Sequence, residues 1–322
     1  MTPGLKICSL LPSATEIVFA LGCGDKLVAV THECDFPPEA ARLPVITRST
    51  LDHRTHGSRE IHNHISSAAH AGSSIYALDQ DLLERLDPDL ILTQELCDVC
   101  AVSYDVVEKA VHRLEGRRPI LSLEPTSLGG ILETVEQVGA ATGAQERAVA
   151  VVRELQEQID RIAARAQPAS GRPRVFAMEW LDPPFTAGHW VPEMIRLAGG
   201  RDELGREGWP SSQIAWSCIA DYDPEIIVLM PCGFTLERTG EEFARVQLPD
   251  EWLSLSAARS GHVYVVNGSA YFNRPGPRIV EGLEILAEIV HPELFPRTMP
   301  REAWQRLEVD PIQAVTRGSQ FP

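Results

Sequence analysis

From Ala144 to Ala166 the chain consists almost wholly of Ala, Glu, Gln, Arg, Val and Leu, with no Gly or Pro. About 23 helix formers without a breaker predict one continuous helix roughly 35 Å long at 1.5 Å per residue. A flexible hinge would be rich in Gly and Ser, so this connector is stiff and permits only small motions between whatever flanks it. A chain of 322 residues exceeds what one hydrophobic core usually serves, and 44% hydrophobic content is ample for two.

Both flanks alternate strand-like and helical runs. In the first half Lys6 to Leu11, Leu27 to His32, Asp89 to Gln94 and Pro119 to Glu124 read as buried parallel strands. Ser13 and Glu16 have the spacing of a capping box for a helix through Leu21, and Ser127 to Gly143 carries apolar residues at helical spacing. After the break at Gln167 to Pro173 the logic repeats, with strands at Arg174 to Trp180, Glu225 to Met230 and His262 to Asn267 and helices at Val191 to Ala198 and Pro277 to Val290. The fold class expected is α/β: two Rossmann-like lobes with parallel sheets joined by one long rigid α-helix. The domains are 1–143, an N-terminal lobe; 144–167, the connecting helix; 168–292, a C-terminal lobe; and 293–322, a tail packed on the second lobe.

A formal net charge of −16 opposes attraction to nucleic acid and to anionic membrane surfaces. No apolar run is long enough to span a bilayer, and the first residues lack the order of a secretory signal. Seven cysteines, an odd number, fit reduced thiols better than a disulfide framework. Together these predict a cytoplasmic protein with a small-molecule ligand.

In open parallel sheets ligands bind beyond the carboxyl ends of the strands, so the loops that follow each strand are the candidate site. They contain Pro12 and Ser13, His32 and Glu33, Gln94, and the run Glu179-Trp-Leu-Asp-Pro-Pro-Phe-Thr-Ala-Gly-His-Trp190. Trp180, Phe185 and Trp190, with Tyr271 and Phe272, offer flat apolar faces whose burial contributes about 25 cal/mol per Å². Arg48, Asn273 and Arg274 suit amide carbonyls or phosphate, while Glu179 and His189 complete the set of candidate contacts.

At these residues a family resemblance becomes plain. Ser9-Leu-Leu-Pro-Ser-Ala-Thr-Glu-Ile-Val-Phe-Ala-Leu-Gly22 resembles the opening motif of the helical-backbone (class III) periplasmic binding proteins of ABC importers, which carry cobalamin, haem and iron-siderophore. With His-Glu-Cys-Asp at 32–35 and Trp-Leu-Asp-Pro-Pro at 180–184, the chain is similar to the cobalamin-binding subset. The likeness spans about residues 5–292 and takes in Arg274-Pro-Gly-Pro-Arg278 at the start of the last helix. It implies a cleft that grips a large planar ligand edge-on, namely cobalamin or a related corrinoid, for uptake, trafficking or storage. It implies an ABC importer as partner, or a corrinoid-processing protein if the chain is cytoplasmic.

The thiols leave alternatives open. Cys97 and Cys100 form a C-x-x-C, and Cys34 and Cys232 with His32 and His189 fall in loops on the same predicted face, a donor set that suits zinc or an iron–sulfur cluster. A histidine there also suits the axial side of a corrinoid cobalt, and incidental cysteines are the third reading. Cys8, Cys23 and Cys218 read as core. His53, His56, His62, His64 and His70 read as a solvated helix surface, because His62 and His64 lie on different faces. No hydrolase, nucleotide or dinucleotide motif is present, so the chain reads as a binding protein. A corrinoid-handling enzyme using Glu179, Asp182 and His189 is the alternative, and a receptor whose leader is missing is a third.

Overall fold

A computed structural model describes residues 4–49, 51, 55–70, 76–94, 118–167, 169 and 171–308, with residues 69 and 70 as backbone only. The first sheet has the order β2 (Leu27–Ala29), β1 (Ile7–Ser9), β5 (Leu90–Thr93), β6 (Ile120–Ser122), all parallel. The chain leaves β1 to one side for β2 and returns on the other side as β5. The loops after β1 and β5 therefore diverge, which opens a crevice at that edge. A short antiparallel pair, β3 (Thr47–Ser49) with β4 (Tyr76–Leu78), stands beside this sheet and flanks the helix Ser58–His70 in the chain.

The second sheet runs β11 (Trp304–Arg306), β10 (Val263–Val266), β9 (Ile226–Leu229), β7 (Val175–Trp180), β8 (Phe185–Thr186). Its three central strands are parallel as expected, but both edges are antiparallel, so the sheet is mixed. The reason is local. A four-residue turn folds Phe185 straight back onto Trp180, and the chain after the last helix returns to cover β10, which shields an edge that would otherwise stay open.

Between the sheets runs the helix Gln145–Ala166, 22 residues without interruption. Ala148, Val151, Leu155, Ile159 and Ala166 form its buried stripe at helical spacing. That stripe packs on the helix Leu128–Thr142 of the first lobe and on Ile279–Val290 of the second, so one continuous apolar core extends from Ile17 and Val135 to Ile195 and Leu286. Separate clusters fill the outer face of each sheet. Ser127 caps the helix Leu128–Thr142 by accepting the Gly130 N–H at 3.1 Å, and Gly143 at φ 74° closes it.

One cap differs from expectation. The first helix begins at Pro12 with Leu11 as N-cap and no side-chain cap, and Ser13 is buried within its first turn. Proline at the first position removes one of the orphan N–H groups of the first turn and presets φ for the helix. Glu16 is thereby free of the capping box and serves elsewhere.

Candidate functional site

The two lobes meet at two polar ties. At the first, the Glu16 side chain is 2% exposed and accepts Arg278 at Nε (2.9 Å) and Nη2 (2.5 Å), with Arg274 Nη1 at 3.4 Å. Arg274 also donates to Asp35 at 2.5 Å and to the Glu33 carbonyl at 2.9 Å. Arg278 lies over the Phe36 ring at 4.1 Å, and Gly276 packs beside Ser13, where an added Cβ would lie in ordinary contact at 3.5 Å. The Pro-Gly-Pro between the two arginines gives a stiff, slim turn that brings both guanidinium groups to one carboxylate.

At the second tie the helix Ser58–His70 docks on the other lobe. The Trp180 indole donates to the Ser58 carbonyl at 3.1 Å, the Ser58 N–H donates to Glu242 at 2.5 Å, and Arg59 pairs with Asp182. Arg238 pairs with Glu242 at 2.9 Å and donates to the His56 carbonyl. Beneath them Leu51, Ile61 and Phe234 form a small apolar cluster that Ile65 and Trp180 flank, and the His62 and Phe185 rings lie 5.6 Å apart.

Between the ties the strand-end loops of the two lobes face one another. His32 is exposed there, Glu33 half-buried and Gln94 buried. Opposite them Tyr271 and Cys232 are half-buried. Arg48 is exposed on β3.

Glu179 is not a free ligand contact. It accepts the Gly188 N–H at 3.2 Å and a hydrogen bond from Ser211, and burial pushes its carboxyl up to about 7 despite those two donors. It thereby fastens the segment Gly208 to Ile214, which is zipped to residues 184–189 through Thr186 N–H to the Ser212 carbonyl, His189 N–H to the Trp209 carbonyl and Ile214 N–H to the Pro184 carbonyl. Only glycine fits at 188, because a Cβ would lie 2.6 Å from the Trp209 carbonyl. His189 holds φ 52°, a strained conformation for a non-glycine residue, and stacks on Trp190. The segment presents Trp209, 56% exposed with Arg206 above its ring. Sequence reasoning missed Trp209 because it follows no strand; the only signal was an aromatic beside Pro210 in a polar run.

Several assignments are corrected. Trp190 is 6% exposed with its indole N–H bonded to the Phe272 carbonyl at 2.9 Å, and Phe272 is 1% exposed. Both rings are core and offer no face to a ligand. Arg274 is spent on Glu16, Asp35 and Glu33. Pro12 and Ser13 are buried where the last helix's turn packs on them. Cys218, expected in the core, is exposed on the helix Trp216–Tyr222.

The metal-site expectation is likewise revised. Cys34 is buried with its sulfur 3.1 Å from the Thr15 and Thr31 hydroxyls, and burial pushes its thiol pKa up, so it stays a neutral thiol and a poor metal ligand. Cys232 is half-buried, and among the described residues no group of three or more His, Cys, Asp and Glu is arranged to hold a metal. Cys97 and Cys100 lie outside the described residues, as does His53. Among the described residues neither zinc nor an iron–sulfur cluster is supported.

Residues 7–270 match the family model "Periplasmic binding protein". The chain is 26% identical over 296 residues, 90% of its length and 81% of the relative's, to the uncharacterized ABC transporter substrate-binding lipoprotein YvrC of Bacillus subtilis. It is 24% identical over 293 residues, 88% of its length and 87% of the relative's, to the vitamin B12-binding protein of Vibrio cholerae. Among solved structures, a periplasmic heme binding protein from Pseudomonas aeruginosa superposes with a TM-score of 0.68 at 21% identity, covering 92% of this chain and 96% of that one.

This chain belongs to the periplasmic binding protein family. Its class is the substrate-binding protein of ABC-importer type, which binds its ligand without turning it over. The cytoplasmic address expected from the sequence is overturned: the family and the lipoprotein relative point to an extracytoplasmic location. The cysteine argument failed for a physical reason. Cys8, Cys23 and Cys34 are free and buried in the core, so their thiols are shielded from any oxidant and report nothing about the compartment.

Proposed function

We propose that the chain captures a corrinoid of the cobalamin type in the cleft between the two ties and hands it to an ABC importer. The observation that carries this reading is the exposed indole of Trp209 on a segment pinned beside the cleft, which joins Tyr271 and the outer edge of Phe185 as apolar faces of one lobe. On the other lobe His32, Glu33, Arg48 and Gln94 supply polar contacts suited to the amide-rich rim of such a ligand. The relative named as a vitamin B12-binding protein, matched along most of both chains, supports the ligand class.

Flat apolar rings on lobes tied together by Glu16–Arg278 and Trp180–Ser58 suit a ligand that is already rigid, because little conformational entropy is lost on either side. Calorimetric titration with cyanocobalamin, cobinamide and haemin tests the proposal. Saturable binding of a corrinoid in preference to haemin is expected. Preference for haemin, or no binding to any of the three, overturns it.

A further inference from the structure

One side chain in the proposed cleft is held in a way that packing does not require. His32 lies one residue before Glu33, whose carbonyl takes Arg274 of the other lobe, so its loop borders the inter-lobe cleft. Its Nδ1 is 2.8 Å from Thr47 Oγ1, its backbone N–H donates to the same oxygen at 3.2 Å, and its ring centroid is 5.5 Å from that of Tyr76. The threonine oxygen has two lone pairs and can accept from both donors. In the tautomer where Nδ1–H donates, the Nε2 lone pair is the free one, and Nε2 has no hydrogen-bond partner among the described residues.

An imidazole fixed through one nitrogen with the other presented outward is the arrangement of a metal-ligating histidine. Yet among the described residues no group of three or more His, Cys, Asp and Glu is arranged to hold a metal ion. A lone imidazole suits a metal that arrives with its other positions already filled, as the cobalt of a corrinoid does.

Resting on the corrinoid reading above, we infer that His32 binds the metal of the captured macrocycle through Nε2 at an axial position and so selects ligands whose axial site is exchangeable. The step is a ligand substitution: the water on cobalt leaves, the Nε2 lone pair forms the Co–N bond, and no electron is transferred. Desolvation of the ring where it packs on Tyr76 lowers the histidine's pKa, which keeps the imidazole neutral and its lone pair available at neutral pH.

The test compares aquocobalamin with cyanocobalamin, whose axial positions are filled, on untagged protein by visible absorption and calorimetry. The chain is expected to shift the cobalt bands of aquocobalamin and to prefer it about tenfold. His32→Ala should abolish the shift and the preference, and should lower aquocobalamin affinity more than cyanocobalamin affinity. Thr47→Val, which loosens the ring without touching Nε2, should lower the preference in part. Binding of both corrinoids with no band shift, or an equal shift in His32→Ala, overturns the inference alone. Binding of neither overturns the corrinoid reading and the inference with it.

Discussion

The indole N–H of Trp180 donates to the carbonyl oxygen of Ser58 at 3.1 Å, joining residues 122 positions apart and on opposite lobes. Together with Glu242, which accepts the Ser58 N–H and pairs with Arg238, it makes the helix Ser58–His70 a second connection between lobes already held by the long helix. The side chains of Arg238 and Glu242 are 12% and 3% exposed, so this pair is desolvated. Arg238→Met leaves the carboxylate buried without its cation. A loss of about 3 kcal/mol in urea unfolding is expected, as for other broken buried pairs, and a loss near zero would mean the helix does not dock in solution.

Glu16 tests the other tie. Glu16→Gln keeps the shape but removes the charge that holds Arg274 and Arg278 together across the lobes. Two guanidinium groups would then face each other across the space Glu16 neutralised, with Asp35 still accepting from Arg274. The melting temperature should fall by several degrees, matching a loss of about 2 to 3 kcal/mol, with more of the loss recovered in Glu16→Gln/Arg278→Leu than additivity allows.

The two tryptophans near the cleft should separate by what they affect. Trp209→Ala removes an exposed ring, so corrinoid affinity should drop about tenfold with urea stability nearly unchanged. Trp190→Ala empties a core site and strands the Phe272 carbonyl, which should cost about 3 to 5 kcal/mol of stability. Equal effects of both on affinity at unchanged stability would count against this division.

Glu179 gives stability a pH dependence whose sign is opposite to that of an ion-paired carboxylate. Its folded-state pKa is raised from 4.5 to about 7 by burial. The folded protein therefore keeps a proton that the unfolded chain loses first. Its contribution is fully present below about pH 4.5 and is lost as pH rises through about 7. Asp202, raised from 3.8 to about 6 by burial, acts in the same direction. Urea midpoints should fall from pH 5 to pH 7.5 more steeply in the unmodified chain than in Glu179→Gln.

What was legible in advance is instructive by residue. The helix Gln145–Ala166 stood out because lack of breakers and a buried stripe are written in consecutive residues. Strands such as Ile226–Leu229 stood out because a parallel strand buried on both faces is an unbroken apolar run. The β3–β4 pair was missed, as its two three-residue strands lie far apart in the chain and carry no run long enough to read. Trp190 and Phe272 read as ligand faces from sequence because position after a strand says nothing about which way a ring turns. Their burial was decided by a meeting across 82 residues, the Trp190 indole N–H bonding to the Phe272 carbonyl.

By itself, then, the sequence determined that two α/β lobes face each other across a stiff helix, since strand and helix patterns depend on neighbours one to four residues away. Only the tertiary structure decided how the lobes are tied and what remains exposed between them. Glu16 meets Arg278 across 262 residues, and Ser58 meets Glu242 across 184. Such pairs are chosen by distance in space and by the cost of burying a charge alone, and neither is written in the local order of residues.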